Sequence, residues 1–379
     1  MRPARRPFSF VIVAAIAVAS LGAPRVGQAQ GTPVAVPWYE AIHLNGFLCT
    51  SFSYNLNRPD SRTNTLRVFD FDDQSFKLDA FELVAQRPAS QPRESGFRAD
   101  IVLGSSIPRV SAASGLFRDD AGTAGDLDLQ QAYATYVAPL GSGLRFDLGK
   151  FVTPFGYELI EGYDGWNDNA TRSLLFGYAI PFTHTGVRMS YAFSPRTSAA
   201  LLAVNGWDDA RDNNRAKSAG LQLALTPSAP FTIVLNAMTG AERAGNDSDR
   251  RSLLDFTATW KATTRLTLGA NGDWGTEPDA LGPGIDARWR GGAGYARFGP
   301  LGGLTWSLRA ESFDDADGAR TGVGQRLSEI TLTPEARLSA SMLVRADLRL
   351  DHSDHDVFEK RGGLSDTQMT LLVSGLYGF

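Results

Sequence analysis

Hydrophobic and polar residues alternate along most of this chain, in segments of about ten residues that are separated by turn-forming residues. Between residues 344 and 351, valine, alanine and leucine at even positions alternate with arginine and aspartate at odd positions. The segments 251–260 and 304–311 show the same period of two. Because successive side chains of a β-strand point to opposite faces, this period predicts strands with one apolar and one polar face.

The distribution of charged and aromatic residues favours a membrane barrel over a soluble sheet. Charged residues occur on the polar face of strand after strand, and aromatic residues stand near the strand ends, which is typical of an aromatic girdle around a water-filled interior. The lipid core of a bilayer offers no hydrogen-bond partners to the free backbone N–H and C=O groups at a sheet edge, so such strands must close into a barrel. The alternative is a periplasmic or secreted β-sandwich, whose apolar faces would be buried. The aromatic residues near strand ends are Tyr191, Phe193, Phe231 and Trp260.

Short connections alternate with long connections rich in Asp, Asn and Gly, as in a barrel with turns at one end and loops at the other. We predict an all-β fold: a membrane-spanning, antiparallel, up-and-down β-barrel of about sixteen strands in residues 42–379, with a long inward-folded loop at 152–182. An even count places both termini in the periplasm, and sixteen strands leave an aqueous channel. A short turn is predicted at 334–339. The predicted strands lie near 42–55, 76–86, 96–104, 126–138, 144–151, 183–193, 197–205, 217–225, 231–239, 251–260, 264–274, 287–298, 303–313, 326–333, 340–351 and 366–379.

The first thirty residues have the features of a secretory signal peptide. Arg2, Arg5 and Arg6 precede an apolar stretch at 8–21, and the small residues of 27–29 suit a cleavage site. An amphipathic anchor is the alternative, but the apolar stretch has no polar face. We therefore expect export across the inner membrane and a location in the bacterial outer membrane. The predicted boundaries are 1–29 for the signal peptide and 30–41 for a short periplasmic segment.

The last predicted strand ends on an aromatic residue. From Met369 to Phe379 every second residue is apolar or glycine, and Tyr377 precedes the terminal Phe379 by two positions. A C-terminal strand with this ending resembles the signal that the outer-membrane assembly machinery recognises. We therefore expect Tyr377 and Phe379 to form an assembly signal.

Composition excludes several functional classes. Lys and Arg number 37 against 41 Asp and Glu, for a net charge of −4, whereas a nucleic-acid-binding protein is normally basic, so we expect no nucleic-acid partner. The single cysteine, Cys49, excludes an intrachain disulfide and a multi-thiolate metal centre. An outer-membrane enzyme is disfavoured because no Gly-x-Ser-x-Gly motif occurs. We expect no cofactor and no metal.

One segment, 351–356, could support a metal site, because it carries two histidines three residues apart with carboxylates around them. No second set of ligands is identifiable, so we favour a solvated loop there. His184 is expected to be hydrogen-bonded on the inward side of its strand. His43 and Cys49 are predicted to face the lumen without an evident partner.

Several fragments carry a family resemblance. GKFVTPFGYE at 149–158, NATRSLLF at 169–176 and IPFTHTGVR at 180–188 resemble the OmpL-like beta-barrel porins. The resemblance implies a barrel that acts as a channel and has no reaction to catalyse. It runs in order from about Leu44 to Phe379. Further fragments of the same kind are NGWDD at 205–209, RAESFDD at 309–315 and EITLT at 329–333.

The long loop at 152–182 is the candidate constriction of such a channel, because it combines apolar residues with carboxylates. Folded into the barrel, it could pack its apolar side chains on the wall and hold its carboxylates across the lumen. Alternatively, the loop caps the barrel from outside, and inward arginines pair with neighbouring acids, as Arg345 with Asp347 or Arg309 with Glu311. The predicted acidic residues are Glu158, Glu161, Asp164 and Asp168, and the predicted basic wall is Arg145, Arg188, Arg309, Arg345 and Arg349.

The predicted function is an outer-membrane porin for the passive diffusion of small hydrophilic solutes and ions. The alternative is a structural or adhesive barrel without significant conductance. A gated receptor is disfavoured, because the residues before the first strand are too few for a plug domain. The expected partners are outer-membrane lipid and lipopolysaccharide, the outer-membrane assembly machinery, the diffusing solutes and, in a homotrimer, further copies of the chain.

Overall fold

The structure is a computed structural model, and it describes residues 38–107, 110, 111, 116, 117 and 123–379. The predicted signal peptide lies outside the described residues, as does most of the predicted periplasmic segment. Trp38–Ala41 forms one turn of 3₁₀ helix. Within the described ranges, no helix has the length and apolar character needed to cross a bilayer.

The described residues of 42–379 form eighteen strands, sixteen of which build a closed barrel. Strands β1 to β15 follow one another around the barrel, each antiparallel to the strand before it, and β18 closes the barrel between β15 and β1. Strands β16 and β17 form a separate hairpin. The strands are β1 His43–Asn55, β2 Ser75–Arg87, β3 Ser95–Leu103, β4 Leu127–Ala138, β5 Leu144–Val152, β6 Thr183–Ser194, β7 Thr197–Val204, β8 Ser218–Ser228, β9 Phe231–Ala241, β10 Arg250–Lys261, β11 Leu266–Glu277, β12 Ala287–Leu301, β13 Leu304–Asp315, β14 Gln325–Arg337, β15 Met342–Ser353, β16 Phe358–Lys360, β17 Gly363–Ser365 and β18 Thr367–Gly378.

The predicted fold class is confirmed, and each predicted strand corresponds to one barrel strand. The predicted short turn at 334–339 is wrong in its first half, because β14 continues through Pro334 to Arg337. Pro334 pairs with Trp306 on β13, whereas the pairing with β15 skips from Leu332 to Glu335. Proline has no N–H to donate, so it interrupts the ladder on one side and leaves the strand intact.

The two faces of the barrel wall differ as the alternating pattern predicts. Outward side chains such as Leu148 and Leu254 are 61% and 54% exposed, and a lipid bilayer would cover them. Near the ends of β6 and β10, Phe193 and Trp260 also point outward, where an aromatic girdle is expected. Inward side chains are mainly polar or charged, and many are buried by two connections that enter the barrel.

We call these connections the first loop, residues 56–74, and the inner loop, residues 153–182. The inner loop contains one turn of π-helix, Leu175–Ala179. Its Phe176 and Phe182 rings lie about 6 Å from the ring of Phe69 in the first loop, with centroid distances of 5.9 and 6.0 Å. Burial of large aromatic side chains is a main source of folding free energy, so this cluster holds both loops inside the barrel.

Candidate functional site

Arg309 attaches the middle of the inner loop to the barrel wall. Its side chain points inward from β13 and is fully buried. The Nη1 atom lies 2.8 Å from Glu158 Oε1 on the loop, and Nε lies 2.6 Å from Glu329 Oε1 on the neighbouring strand. Nη1 also donates to the carbonyl oxygen of Thr171 at 2.7 Å. One guanidinium group therefore joins two parts of the loop to β13 and β14, as its planar set of donors allows.

A second attachment joins Arg345 on β15 to Glu161 of the inner loop. Nη2 of Arg345 lies 2.8 and 2.9 Å from the two carboxylate oxygens, and Nη1 donates to the carbonyl of Asn167. Arg172 adds a second cation at 3.1 Å. Burial alone would raise the pKa of Glu161, but the charges of Arg172 and Arg345 outweigh it and lower that pKa.

Arg349 and Asp351 extend this network to the first loop. Arg349 donates to the carbonyl of Arg172 and pairs with Asp351 at 2.7 Å. Asp351 also pairs with Arg67 of the first loop at 2.5 Å. The expectation of a solvated loop beginning at Asp351 is therefore wrong at this residue, because β15 continues to Ser353 and the carboxylate is buried between two arginines.

Two wall carboxylates hold backbone amides of the inner loop. Asp347 accepts hydrogen bonds from the amides of Ala170 and Thr171 at 3.1 and 2.7 Å. Glu311 accepts from the amides of Leu174 and Leu175 at 2.5 and 3.1 Å. Asp347 and Glu311 thus bind loop amides rather than Arg345 and Arg309, the two pairs given as examples of wall pairing. Pairing between inward arginines and wall acids does occur elsewhere, as in Arg309 with Glu329 and Arg349 with Asp351.

Arg145 and Arg188 lie on a different part of the wall, on β5 and β6. They share one carboxylate, Asp147, at 2.9 and 2.8 Å. The Arg188 guanidinium also stacks over the Phe151 ring, 4.8 Å from its centroid. Their side chains are 37% and 20% exposed, whereas Asp147 is buried, so the cations and not the acid face the open space.

The remaining predicted acids, Asp164 and Asp168, lie on the exposed edge of the inner loop, with side chains 52% and 35% exposed. Arg98 on β3 binds Asp164 at 2.6 Å, and Arg297 on β12 binds Asp168 at 2.9 Å. Burial raises the pKa of Asp168, and the charge of Arg297 does not offset it. Arg98 and Arg297 were not among the predicted residues, although their alternation with apolar neighbours places both on inward faces.

The less covered part of the interior lies at the short-turn ends of β6 to β9. The inner loop contacts β10, β13 and β15, and it reaches across to β2, where the amide of Tyr163 donates to Glu82 at 2.8 Å. It also contacts β8, where Gln222 Nε2 donates to the carbonyl of Pro154 at 2.7 Å. Toward the short-turn ends of these strands the inward side chains are small or polar and partly exposed, including Ser190, Ser198 and Thr232. Free space therefore lies between the inner loop and this end of the wall.

The other candidates have structural partners. His184 is buried, with Nε2 3.1 Å from Thr153 Oγ1 and Nδ1 3.1 Å from the carbonyl of Gly206, which confirms its predicted hydrogen bonding. Cys49 faces inward with Sγ 3.8 Å from Asp79 Oδ2, a partner that the sequence did not reveal. His43 lies exposed at the end of β1. Among the described residues, no group of His, Cys, Asp and Glu could hold a metal ion.

The C-terminal residue is fixed in the barrel seam. The amide of Phe379 donates to the carbonyl of Gly46 at 3.0 Å, and the amide of Gly46 donates back at 2.8 Å. The Phe379 ring covers Gly46, where a Cβ atom would lie 2.2 Å from the ring. Tyr377 points outward and packs against Phe379, with ring centroids 5.9 Å apart.

A closed antiparallel barrel of sixteen strands, apolar outside and charged inside, defines an outer-membrane porin. The family model described as "Putative beta-barrel porin-2, OmpL-like" matches residues 41–379, and the chain belongs to this family. The resemblance expected from the sequence fragments is thus confirmed.

Solved porins share the fold at low sequence identity. The anion-selective porin from Comamonas acidovorans superposes with a TM-score of 0.60 at 12% identity, covering 89% of this chain and 99% of its own. The channel DcaP of Acinetobacter baumannii gives 0.60 at 11% identity, covering 89% and 97%. OmpT of Vibrio cholerae in a trimer form gives 0.58 at 11% identity, covering 89% and 99%. No curated protein sequence matches the chain.

Proposed function

We propose that this porin lets small hydrophilic solutes and ions diffuse passively through the space between the inner loop and the wall of β5 to β9. In this proposal the inner loop is the constriction of the channel. The width of that space and the charges along it determine which solutes pass. The function requires no chemical reaction and no cofactor.

The observation that carries this proposal is the division of the charged side chains into two sets. In the first, ion pairs bury both partners: the side chains of Glu158 and Arg309 are 3% and 0% exposed. In the second, Asp164 and Arg145 are 52% and 37% exposed. Exposed charges act on ions in the channel, whereas a buried pair is neutralised at short range.

We therefore assign loop attachment to the first set and ion selectivity to the second. This assignment divides the acidic and basic residues expected from the sequence between two roles. The anchor set is Glu158, Glu161, Arg309, Arg345 and Arg349, and the lining set is Arg145, Arg188, Asp164 and Asp168.

Single-channel recording in planar bilayers tests this proposal. We expect ohmic conductance for the natural chain. In the double variant Asp164→Asn, Asp168→Asn we expect the reversal potential under a salt gradient to shift in the direction of greater anion selectivity, because two carboxylates are removed. The matched control is Asp317→Asn, an exposed aspartate of the connection 316–324. An unchanged reversal potential in the double variant would show that the loop carboxylates do not contribute to permeation.

A second candidate function is a structural or adhesive barrel without significant conductance. It is favoured by the volume that the first loop and the inner loop occupy inside the barrel. Liposome swelling with neutral sugars of graded size separates the two functions. Swelling with the smallest sugars supports a diffusion pore, and its absence supports the structural barrel.

We also propose how the chain reaches and occupies the outer membrane. Residues 1–29 would be cleaved on export, and the fixed position of Phe379 beside Gly46 supports recognition of Tyr377 and Phe379 by the assembly machinery. The long connections would face the exterior, where the barrel meets lipopolysaccharide. The trimer form of Vibrio cholerae OmpT supports a homotrimer.

A further inference from the structure

A row of charged residues crosses the outward face of the barrel near the long connections 278–286 and 316–324. The β-sheet register aligns Trp274 with Arg290, Arg290 with Asp314, and Asp314 with Arg326. All four positions have the outward parity of their strands. Charged side chains on a lipid-facing surface are tolerated near the membrane interface and costly at its centre, so this row marks an interface.

The row has more positive than negative charge. Asp314 is the carboxylate partner of both Arg290 and Arg326, at 3.1 and 3.6 Å. The two guanidinium side chains are 67% and 64% exposed, whereas Asp314 is only 20% exposed. Arg288 is a third exposed, outward arginine, two positions from Arg290 on β12. A second carboxylate, Asp354, accepts a hydrogen bond from the Arg326 amide at 2.9 Å, so three guanidinium groups beside two carboxylates leave this exposed surface net positive.

The next outward row toward the membrane centre is made of small residues. The register aligns Gly272 with Gly292, Gly292 with Ser312, and Ser312 with Ser328. The Phe256 ring covers Gly272, but the small residues Gly292 and Ser312 leave a groove of about 480 Å³ on the outer wall. Its lining includes Trp274, Arg290, Gly292, Ser312, Asp314 and Arg326.

Internal packing does not explain the outward glycines of β12. A Cβ atom on Gly294 would meet nothing within 4 Å, and one on Gly292 would only touch the Asn271 carbonyl oxygen at an ordinary 3.8 Å. Glycine weakens a strand, and on a lipid-facing surface it also forgoes apolar contact. The two glycines therefore keep a space open without serving the fold.

We propose that this groove binds the phosphorylated glucosamine head of lipopolysaccharide, with phosphate on Arg290 and Arg326 and the first acyl segments over Gly292 and Gly294. Guanidinium groups recognise phosphate through paired, charge-assisted hydrogen bonds, and Trp274 offers a ring face to the sugar. Charge complementarity favours this anionic lipid over a second copy of the chain, because its outward surface here is itself cationic. The inference rests on the proposed orientation in which the long connections face the exterior.

The test measures binding of the folded porin, in detergent, to phosphatidylcholine vesicles containing lipid A. For the double variant Arg290→Gln, Arg326→Gln we expect affinity to fall at least about tenfold, the scale of one charge-assisted hydrogen bond. Gly294→Leu adds a side chain beside the groove, where the first acyl segments would lie, and its Cβ would meet no other atom within 4 Å, so it should weaken binding as well. The matched control is Arg211→Gln, an exposed arginine of the connection between β7 and β8, and it should bind like the natural chain.

Two results would overturn the site. If the arginine variant loses affinity but Gly294→Leu does not, the attraction is electrostatic only and no groove is occupied. If both variants bind normally, or if they instead change the oligomeric state, the face has another role. Heat-modifiable electrophoretic mobility verifies that each barrel is folded. Conductance in planar bilayers should be unchanged in every variant, so failure of this site is distinguishable from failure of the proposed channel.

Discussion

Arginines occupy inward positions on two sides of the same barrel, and their surroundings differ. On β13 and β15, Arg309 and Arg345 are buried and bind carboxylates of the inner loop. On β5 and β6, Arg145 and Arg188 share one wall carboxylate and stay partly exposed. The difference shows that an inward position does not by itself make a residue pore-lining. Where a loop covers the wall, the charged side chains of the wall bind the loop instead of facing the channel.

The largest expected effect follows from removing a buried attachment. Arg309→Ala would leave the buried Glu158 without a cation and Glu329 with only Arg349, at 3.4 Å, a loss of about 3–5 kcal/mol for a broken buried pair. We expect the inner loop to detach, which lowers stability in urea and raises single-channel conductance. Tryptophan fluorescence during urea unfolding measures the first effect and bilayer recording the second.

The conservative variant Arg309→Lys is the control for this prediction. Lysine keeps the charge but cannot reach Glu158, Glu329 and the Thr171 carbonyl together, so we expect an intermediate loss. If Arg309→Ala has natural stability and conductance, the buried arginines do not hold the loop.

A smaller effect on stability, with a larger effect on selectivity, is expected on the exposed side. The double variant Arg145→Gln, Arg188→Gln removes two partly exposed cations. We therefore expect the reversal potential under a salt gradient to shift in the direction of greater cation selectivity. Stability should also fall, because the shared Asp147 is buried, but by less than about 3–5 kcal/mol, the loss for a fully buried pair, since both guanidinium groups are partly solvated. A shift toward greater anion selectivity, or a loss of folding, would show that these arginines do not differ in role from the buried arginines of β13 and β15.

The smallest expected effect is the pH dependence of selectivity, which compares the buried loop carboxylate Glu161 with the partly exposed loop carboxylate Asp168. Glu161 has a lowered pKa, so its contribution to stability is present above the ordinary glutamate value of about 4.3 and is lost only as pH falls through the lowered value. Asp168 has a raised pKa and takes up its proton earlier on acidification. Between pH 7 and about pH 4.5 we therefore expect selectivity to move toward anions while the loop stays attached.

Reversal potentials and conductances recorded across this pH range measure both quantities. Asp168→Asn should reduce the pH dependence of selectivity. A rise of conductance over the same range would show instead that the attachments weaken before the lining carboxylate is neutralised.

The sequence was sufficient for the barrel, because alternation is a local property. The period of two predicts each of the sixteen barrel strands, and their number is even because 153–182 forms a single loop with no barrel strand. The misplaced turn at Pro334 has a local cause: proline usually ends a strand, but here its missing N–H affects only the side facing β15. The barrel-closing contact of β18 with β1 follows from the requirement that a membrane sheet has no edge.

Part of the site was also accessible from the sequence. The parity of each strand identified Arg145, Arg188, Arg309, Arg345 and Arg349 as inward, and the composition of the inner loop identified its four carboxylates. The same parity places Arg98 and Arg297 on inward faces.

The chain's alternation, its aromatic positions and its C-terminal ending determined a closed barrel of porin type, because strand faces depend only on near neighbours along the chain. Tertiary structure alone decided which inward charges meet each other. Glu158 and Arg309 are 151 residues apart, and Glu161 and Arg345 are 184 apart, so no local pattern could pair them. Those distant contacts arise because one loop passes through the interior of the barrel. The arginines that this loop covers hold it in place, and the arginines that it leaves uncovered line the proposed channel.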